Sequence, residues 1–306
     1  MKSILAKNKY LLAGLPALGA TILAGAFLSP LAEAGPAPMM ETPAPAPTWK
    51  WGISADYMWR DVDLNEDYKS PFEDFDNGSE FDGPSTDDWN VDYDDFNGDL
   101  WGFSAFVVPP CFWDIMIDFS YRTGDLDGDF RNHTVAKGLD GGYLDGPYEG
   151  KANFDRDEYV VGLTYPIPTI DWLYARVEYF NHQMDGKWKY DDGDVEKQDY
   201  TLWGISGGAG ANYGMPLGGS GLMLDLNAFA GLVYFDFEHK EVASGAKTDW
   251  SDWGFLGRVG ARVSYPIQSQ LDVFLGTGYE YLLTDSDDLD MTTQGVFVNL
   301  GLKGEF

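Results

Sequence analysis

Apolar and polar side chains alternate with period two along much of the chain beyond residue 48. In the last segment Val296, Val298, Leu300, Leu302 and Phe306 share one parity, while Phe297, Asn299, Gly301, Lys303 and Glu305 share the other. The same split separates Trp51, Ile53, Ala55, Tyr57 and Trp59 from Gly52, Ser54, Asp56, Met58 and Arg60. It separates Trp113, Ile115, Ile117, Phe119 and Tyr121 from Asp114, Met116, Asp118, Ser120 and Arg122 as well. Successive side chains of a strand point to opposite faces, so the pattern predicts strands with one apolar and one polar face and excludes an amphipathic helix. Further segments run near 99–108, 157–166, 171–182, 199–213, 221–238, 250–265 and 269–284. That makes ten, and most exceed the roughly 9–11 tilted residues that cross a bilayer.

The connections fall into two alternating classes. Short turns are Val108–Cys111, Pro166–Ile170, Gly214–Ser220 and Pro266–Ser269, and long acidic loops are expected near 62–98, 123–156, 183–198, 239–249 and 285–291. Short turns at one end and long loops at the other, with both termini at the short-turn end, demand an even number of strands. Ten fits; eight or twelve satisfy the same rule. Aromatic residues gather at the segment ends, with Trp49 and Trp51, Tyr57 and Trp59, Tyr159 and Tyr165, Trp253 and Tyr265, and Tyr279 and Tyr281. Interfacial aromatic girdles occupy such positions.

The start of the chain and its charge narrow the setting. Lys2, Lys7 and Lys9, an apolar run from Leu11 to Leu28 and the small-residue exit Ala32-Glu33-Ala34 read as a secretory signal peptide over residues 1–34. Residues 35–47, GPAPMMETPAPAP, cannot join a sheet because proline lacks the backbone donor, and read as an extended periplasmic linker. Without Lys2, Lys7, Lys9 and Glu33 the chain carries 17 basic against 49 acidic residues, a formal charge of −32, which argues against a nucleic-acid partner. The single Cys111 leaves no internal disulfide to stabilise an exported chain, so closure of the sheet must do so.

Together these features resemble the small Gram-negative outer-membrane β-barrels of the porin-like and OmpA-like class, across residues 1–34 and 48–306. The resemblance implies one domain at 48–306, a closed antiparallel up-and-down transmembrane barrel whose partners are outer-membrane lipid and the assembly machinery. The finish Val298, Leu300, Leu302 and Phe306 is similar to the signal by which that machinery recognises its clients.

On the polar faces, Asp56, Arg60, Asp114, Asp118, Arg122, Arg176, Glu178, Arg258, Arg262, Asp272 and Glu280 are predicted to point into the lumen as an ion-pair lattice. Arg258 and Arg262 facing acids across a constriction would make a narrow channel instead. The loop from Val62 to Gly98 carries 13 acids against one Lys69 and interleaves seven aromatics, so the flanking strands are candidates to extend above the membrane. Asp125, Asp127 and Asp129 with Gly128 resemble the opening of a calcium loop, the one cofactor expectation being Ca²⁺ or Mg²⁺ at acidic loops. Outer loops of this size are also where surface ligands or proteins dock.

Ten strands invite comparison with the omptin proteases, whose rim carries an Asp pair facing an Asp-x-His pair. Here His133, His182 and His239 lack that spacing: His182 precedes Asp185 by three positions, and His239 follows Asp236 by three. No catalytic residue is carried over, and both His182 and His239 are read as polar residues of the barrel rim. No nucleophile elbow, phosphate loop or zinc motif occurs. The expectation is a non-enzymatic barrel that supports the envelope and displays acidic loops, with a narrow porin-like channel second and an omptin-like or lipid-modifying hydrolase third.

Overall fold

A computed structural model describes residues 48–69, 88–110, 114–137, 143–145, 148–191, 193–219, 221–243, 245, 247–285 and 289–306. The signal-peptide and linker readings at 1–47 and the environment of Cys111 lie outside these residues. Ten long strands follow one another: β1 (Lys50–Lys69), β2 (Asp88–Val108), β3 (Met116–Lys137), β4 (Tyr148–Pro166), β5 (Leu173–Tyr190), β6 (Val195–Leu217), β7 (Leu222–Glu241), β8 (Lys247–Gln268), β9 (Leu271–Asp285) and β10 (Leu289–Glu305). A three-residue strand, Tyr143–Asp145, pairs only with the end of β3.

Every long strand is antiparallel to its chain neighbours. The sheet closes because β1 pairs with β2 on one side and, from Lys50 to Glu66, with β10 on the other. Closure is tied at the lower end, where the amides and carbonyls of Trp49 and Phe306 exchange hydrogen bonds of 2.9 and 3.0 Å. A closed antiparallel sheet satisfies its backbone groups internally, which is what a spanning strand requires in lipid. At the lower end the turns are tight, and Gly218 and Gly221 between β6 and β7 adopt φ of +67° and +80°, a region that disfavours other residues.

The strands run for 15 to 23 residues, about twice what a bilayer needs. The expected loops at 62–98, 123–156, 183–198 and 239–249 are therefore mostly strand, and the long-loop reading is corrected there. The reason is that alternation continues upward with its polarity reversed. On β1, Ile53, Ala55, Tyr57 and Trp59 face out, but above them Asp61 and Asp63 do so while Val62 and Leu64 turn in and are buried. β3 repeats the change: Ile117 and Tyr121 face out below, then Asp125, Asp127 and Asp129, with Leu126 and Phe130 buried inside. On β4 the outer face passes from Leu163, Val161 and Tyr159 to Asp155, Asn153 and Lys151, and the inner face from Glu158 and Arg156 to Phe154 and Ala152.

The barrel thus has two storeys. The lower one carries an exposed apolar belt, with Ile53, Val177, Ile205, Leu232, Leu275 and Leu300 on six strands and aromatics along its upper edge, among them Tyr57, Trp101, Tyr179, Tyr234 and Trp253. The upper one has a polar skin over a buried apolar core, like a water-soluble barrel.

Candidate functional site

The lumen collects the chemistry. Half-way up, inward-facing strand positions supply one chain of ion pairs. Arg176 on β5 forks onto Asp118 of β3 with bonds of 2.6 and 2.7 Å, donates to Thr164 at 2.8 Å and reaches Glu178 at 2.7 Å. Arg258 of β8 joins Glu178 at 2.6 Å to Glu280 on β9. Arg60 of β1 continues from Glu280 at 2.9 Å to Glu158, which it grips with bonds of 2.9 and 2.6 Å. Glu158 also accepts from Arg156 at 2.9 Å and lies 3.5 Å from Arg122. Arg60, Arg156, Glu158 and Glu178 are buried. Burying such charges is tolerable only when each is paired and hydrogen-bonded, and bidentate arginine–carboxylate forks supply both. Gly162 makes room for it, since a Cβ there would collide with the Arg176 guanidinium.

Of the predicted lumen residues, Arg60, Asp118, Arg122, Arg176, Glu178, Arg258 and Glu280 meet in this lattice. Arg262 and Asp272 belong to a second, looser cluster nearer the lower mouth. There Asp225 lies 3.5 Å from Arg262 and 3.7 Å from Lys303, Lys303 lies 3.7 Å from Asp272, and Arg262 rests 5.3 Å above the Phe274 ring. Asp56 stands apart, accepting from the hydroxyls of Ser54 and Ser104. Asp114 is a correction: it is exposed in the turn before β3, at φ +57°, and does not face the lumen from a strand.

Sequence reasoning missed Arg156 and Glu158, which make up the far end of the lattice. Their signal was present as the shared parity of Phe154, Arg156 and Glu158, but the stretch up to residue 156 read as loop and Glu158, inside the segment expected at 157–166, was not assigned to the lumen.

Above the lattice the lumen is filled by aromatic side chains. Phe130 stacks on Trp188 at 5.1 Å, Phe96 meets Phe154 edge-on at 5.5 Å, and Tyr200 stacks on His239 at 4.5 Å. The polar tips are satisfied within: the Tyr93 and Tyr200 hydroxyls lie 2.5 Å apart, and the Trp188 indole donates to Tyr93 at 2.9 Å. Phe154 and Phe130 pass over Gly186 and Gly150, where a Cβ would strike the rings. Gly204 and Gly210 likewise lie under Phe180 and Tyr174, as expected for strand glycines that admit lumen side chains.

The two described histidine side chains are buried, which corrects the rim reading. His182 joins the lattice, its Nδ1 3.1 Å from the Arg156 guanidinium, and His239 lies 2.8 Å from the Gln198 side-chain oxygen within the core. Asp185 faces outward from β5 and Asp236 from β7, so neither shares a face with its histidine.

Asp125, Asp127 and Asp129 sit at alternate outward positions of an extended strand, which corrects the calcium-loop geometry. Asp127 accepts from Asn153, and Asp129 lies 3.4 Å from Lys151. Among the described residues no group of three or more metal-ligating side chains converges. What the exterior has instead is a row of facing carboxylates, with Asp99, Asp125, Asp155, Asp185 and Asp199 in consecutive register across β2 to β6. A hydrogen bond with Asp155 raises the Asp125 carboxyl from its ordinary value.

Val298, Leu300 and Leu302 of the finish take outward positions on β10, and Phe306 follows its end. Val298 and Leu300 are exposed in the apolar belt, Leu302 is half-buried, and Phe306 is 70% exposed at the lower rim.

No family model matches the chain, and neither does any curated protein. In fold it is similar to the outer membrane protease OmpT of Escherichia coli, at a TM-score of 0.54 and 11% identity over 87% of this chain and 99% of that one. Outer membrane protein AlkL, solved in lipid bilayers, aligns at a TM-score of 0.36 and 13% identity over 90% and 97% of the two chains. OprG of Pseudomonas aeruginosa aligns at 0.32 and 11% over 84% and 95%. At 11% identity the likeness to OmpT is one of fold, and the chain is a closed ten-strand antiparallel barrel of the outer-membrane type.

Proposed function

We propose that this protein is a shut outer-membrane barrel that serves as an envelope scaffold and surface platform, carrying out no chemistry of its own. The observation that supports this reading is a lumen blocked at two successive levels. A solute entering from below would have to part the ion pairs of Arg60, Glu158, Arg258 and Glu280, and one entering from above would have to displace Tyr93, Phe154, Trp188 and Tyr200. Each obstacle is costly: breaking a buried charge pair costs about 3–5 kcal/mol, and re-exposing a large apolar side chain about 1.5–3 kcal/mol.

The surface on offer is the acidic exterior of the upper storey. Aspartates in facing register concentrate negative potential, which draws divalent cations and basic partners and repels nucleic acid. In this reading the protease activity of OmpT is not carried over, since His182 lies inside the lattice and Asp185 outside the wall. The test is planar-bilayer recording from the refolded chain. No steady current above leak is expected, and discrete ohmic openings would replace the scaffold with a channel.

A further inference from the structure

One part of the lattice is not closed by protein atoms. Phe180, His182, Leu256, Arg258, Glu280, Leu282 and Thr293 surround a cavity of about 10 Å³, room for a single water centre. Thr293 has no exposure, yet its hydroxyl finds no hydrogen-bond partner. Leaving a buried hydroxyl unmade costs about 1–3 kcal/mol, so a native wall rarely tolerates one. His182 shows what could meet it. An arginine only donates, so the Arg156 guanidinium makes Nδ1 of His182 the acceptor. The neutral ring then carries its proton on Nε2, a further donor on a residue that lines the cavity.

We propose that this cavity is a built site for one ordered water, which accepts from His182 Nε2–H and is bonded by the Thr293 hydroxyl and the Glu280 carboxylate. Three polar partners are the usual complement of a buried water. An apolar cavity of this size would stay dry, whereas this one joins two groups that the protein leaves apart. The water gives a second route from Arg156 through His182 to Glu280, beside the direct one through Glu158 and Arg60. The site lies under the part of the wall where β9 ends at Asp285 and β10 begins at Leu289, only four positions from Thr293. The assignment stands whether or not the barrel conducts.

The experiment is a high-resolution crystal structure of the refolded full chain, with Thr293→Val and Thr293→Ser solved alongside. A single solvent peak within hydrogen-bond distance of Thr293 Oγ1 and His182 Nε2 is expected, retained in Thr293→Ser and lost in Thr293→Val. Two results overturn the proposal. One is an empty cavity in the parent chain, accompanied by a higher melting temperature for Thr293→Val, because an unsatisfied hydroxyl would then have been removed. The other is a peak that persists unchanged in Thr293→Val, which would take Thr293 out of the site.

Discussion

The lower and upper storeys of this barrel are built from the same ten strands and obey opposite rules. Below, apolar side chains such as Ile53, Val177 and Leu300 face outward, and the interior holds arginines and carboxylates. Above, Asp125, Asp127 and Asp155 face outward and the interior holds Phe130, Phe154, Trp188 and Tyr200. The difference teaches that the surroundings set the polarity of each face, not the architecture. Lipid accepts apolar groups and leaves the lumen to polar ones, while water reverses the preference. The lower interior is held by directional, charge-assisted bonds that fail together when one member is lost. The upper interior is held by area and shape, and its losses stay local.

Removing Glu158 is the largest test of that contrast. Glu158→Ala leaves Arg156 without a carboxylate partner and Arg60 with Glu280 alone, and should cost about 3–5 kcal/mol in equilibrium urea unfolding of the refolded barrel. A cost below about 1 kcal/mol would mean that water already solvates the lattice. Next in size is Leu126→Ala in the upper core, expected to cost about 3 kcal/mol through cavity formation. Hydrogen exchange should quicken in β2, β3 and β4 above the belt and stay unchanged below it. Uniform quickening would merge the storeys into one cooperative unit.

Asp114→Gly removes a side chain from a left-handed backbone position outside both storeys, and should raise stability by about 0.5–1 kcal/mol without touching the lattice. The smallest effect belongs to the acidic exterior. The folded state binds the Asp125 proton more tightly than the unfolded chain does, so its stabilising contribution is present at low pH. It is lost as the pH rises through the raised value. Asp125→Asn should flatten that dependence at mildly acidic pH and leave Glu158→Ala behaviour unaltered. A variant as pH-sensitive as the parent would remove Asp125 from the account. Adding calcium should imitate the same gain by screening the row, with a chelator reversing it in a melting experiment.

How much of this was readable beforehand depended on the storey. The lower one announced itself through segments such as Trp51 to Trp59 and Val296 to Phe306, where apolar residues alternate without interruption. Seven lattice members were named from parity alone. The upper one was misread as loop because density of charge was taken for absence of strand, although Val62, Leu64 and Tyr93 kept the alternation going. Arg156 was lost with it, whereas Glu158, inside the segment expected at 157–166, was passed over. Parity assigns a residue to a face but does not say at what height it lies or whom it meets, so His182 could not be told from a rim residue.

The sequence by itself determined a closed antiparallel sheet of even strand number, with ten as the best fit, because a two-residue period and alternating short and long connections are local properties of the chain. Only the tertiary structure decided which charges meet inside the barrel. Asp118, Arg176, Glu178, Arg258, Glu280, Arg60 and Glu158 come from six different strands, and their order around the barrel follows from register and tilt. Those are set by the summed pairing of all ten strands, and no single segment encodes them.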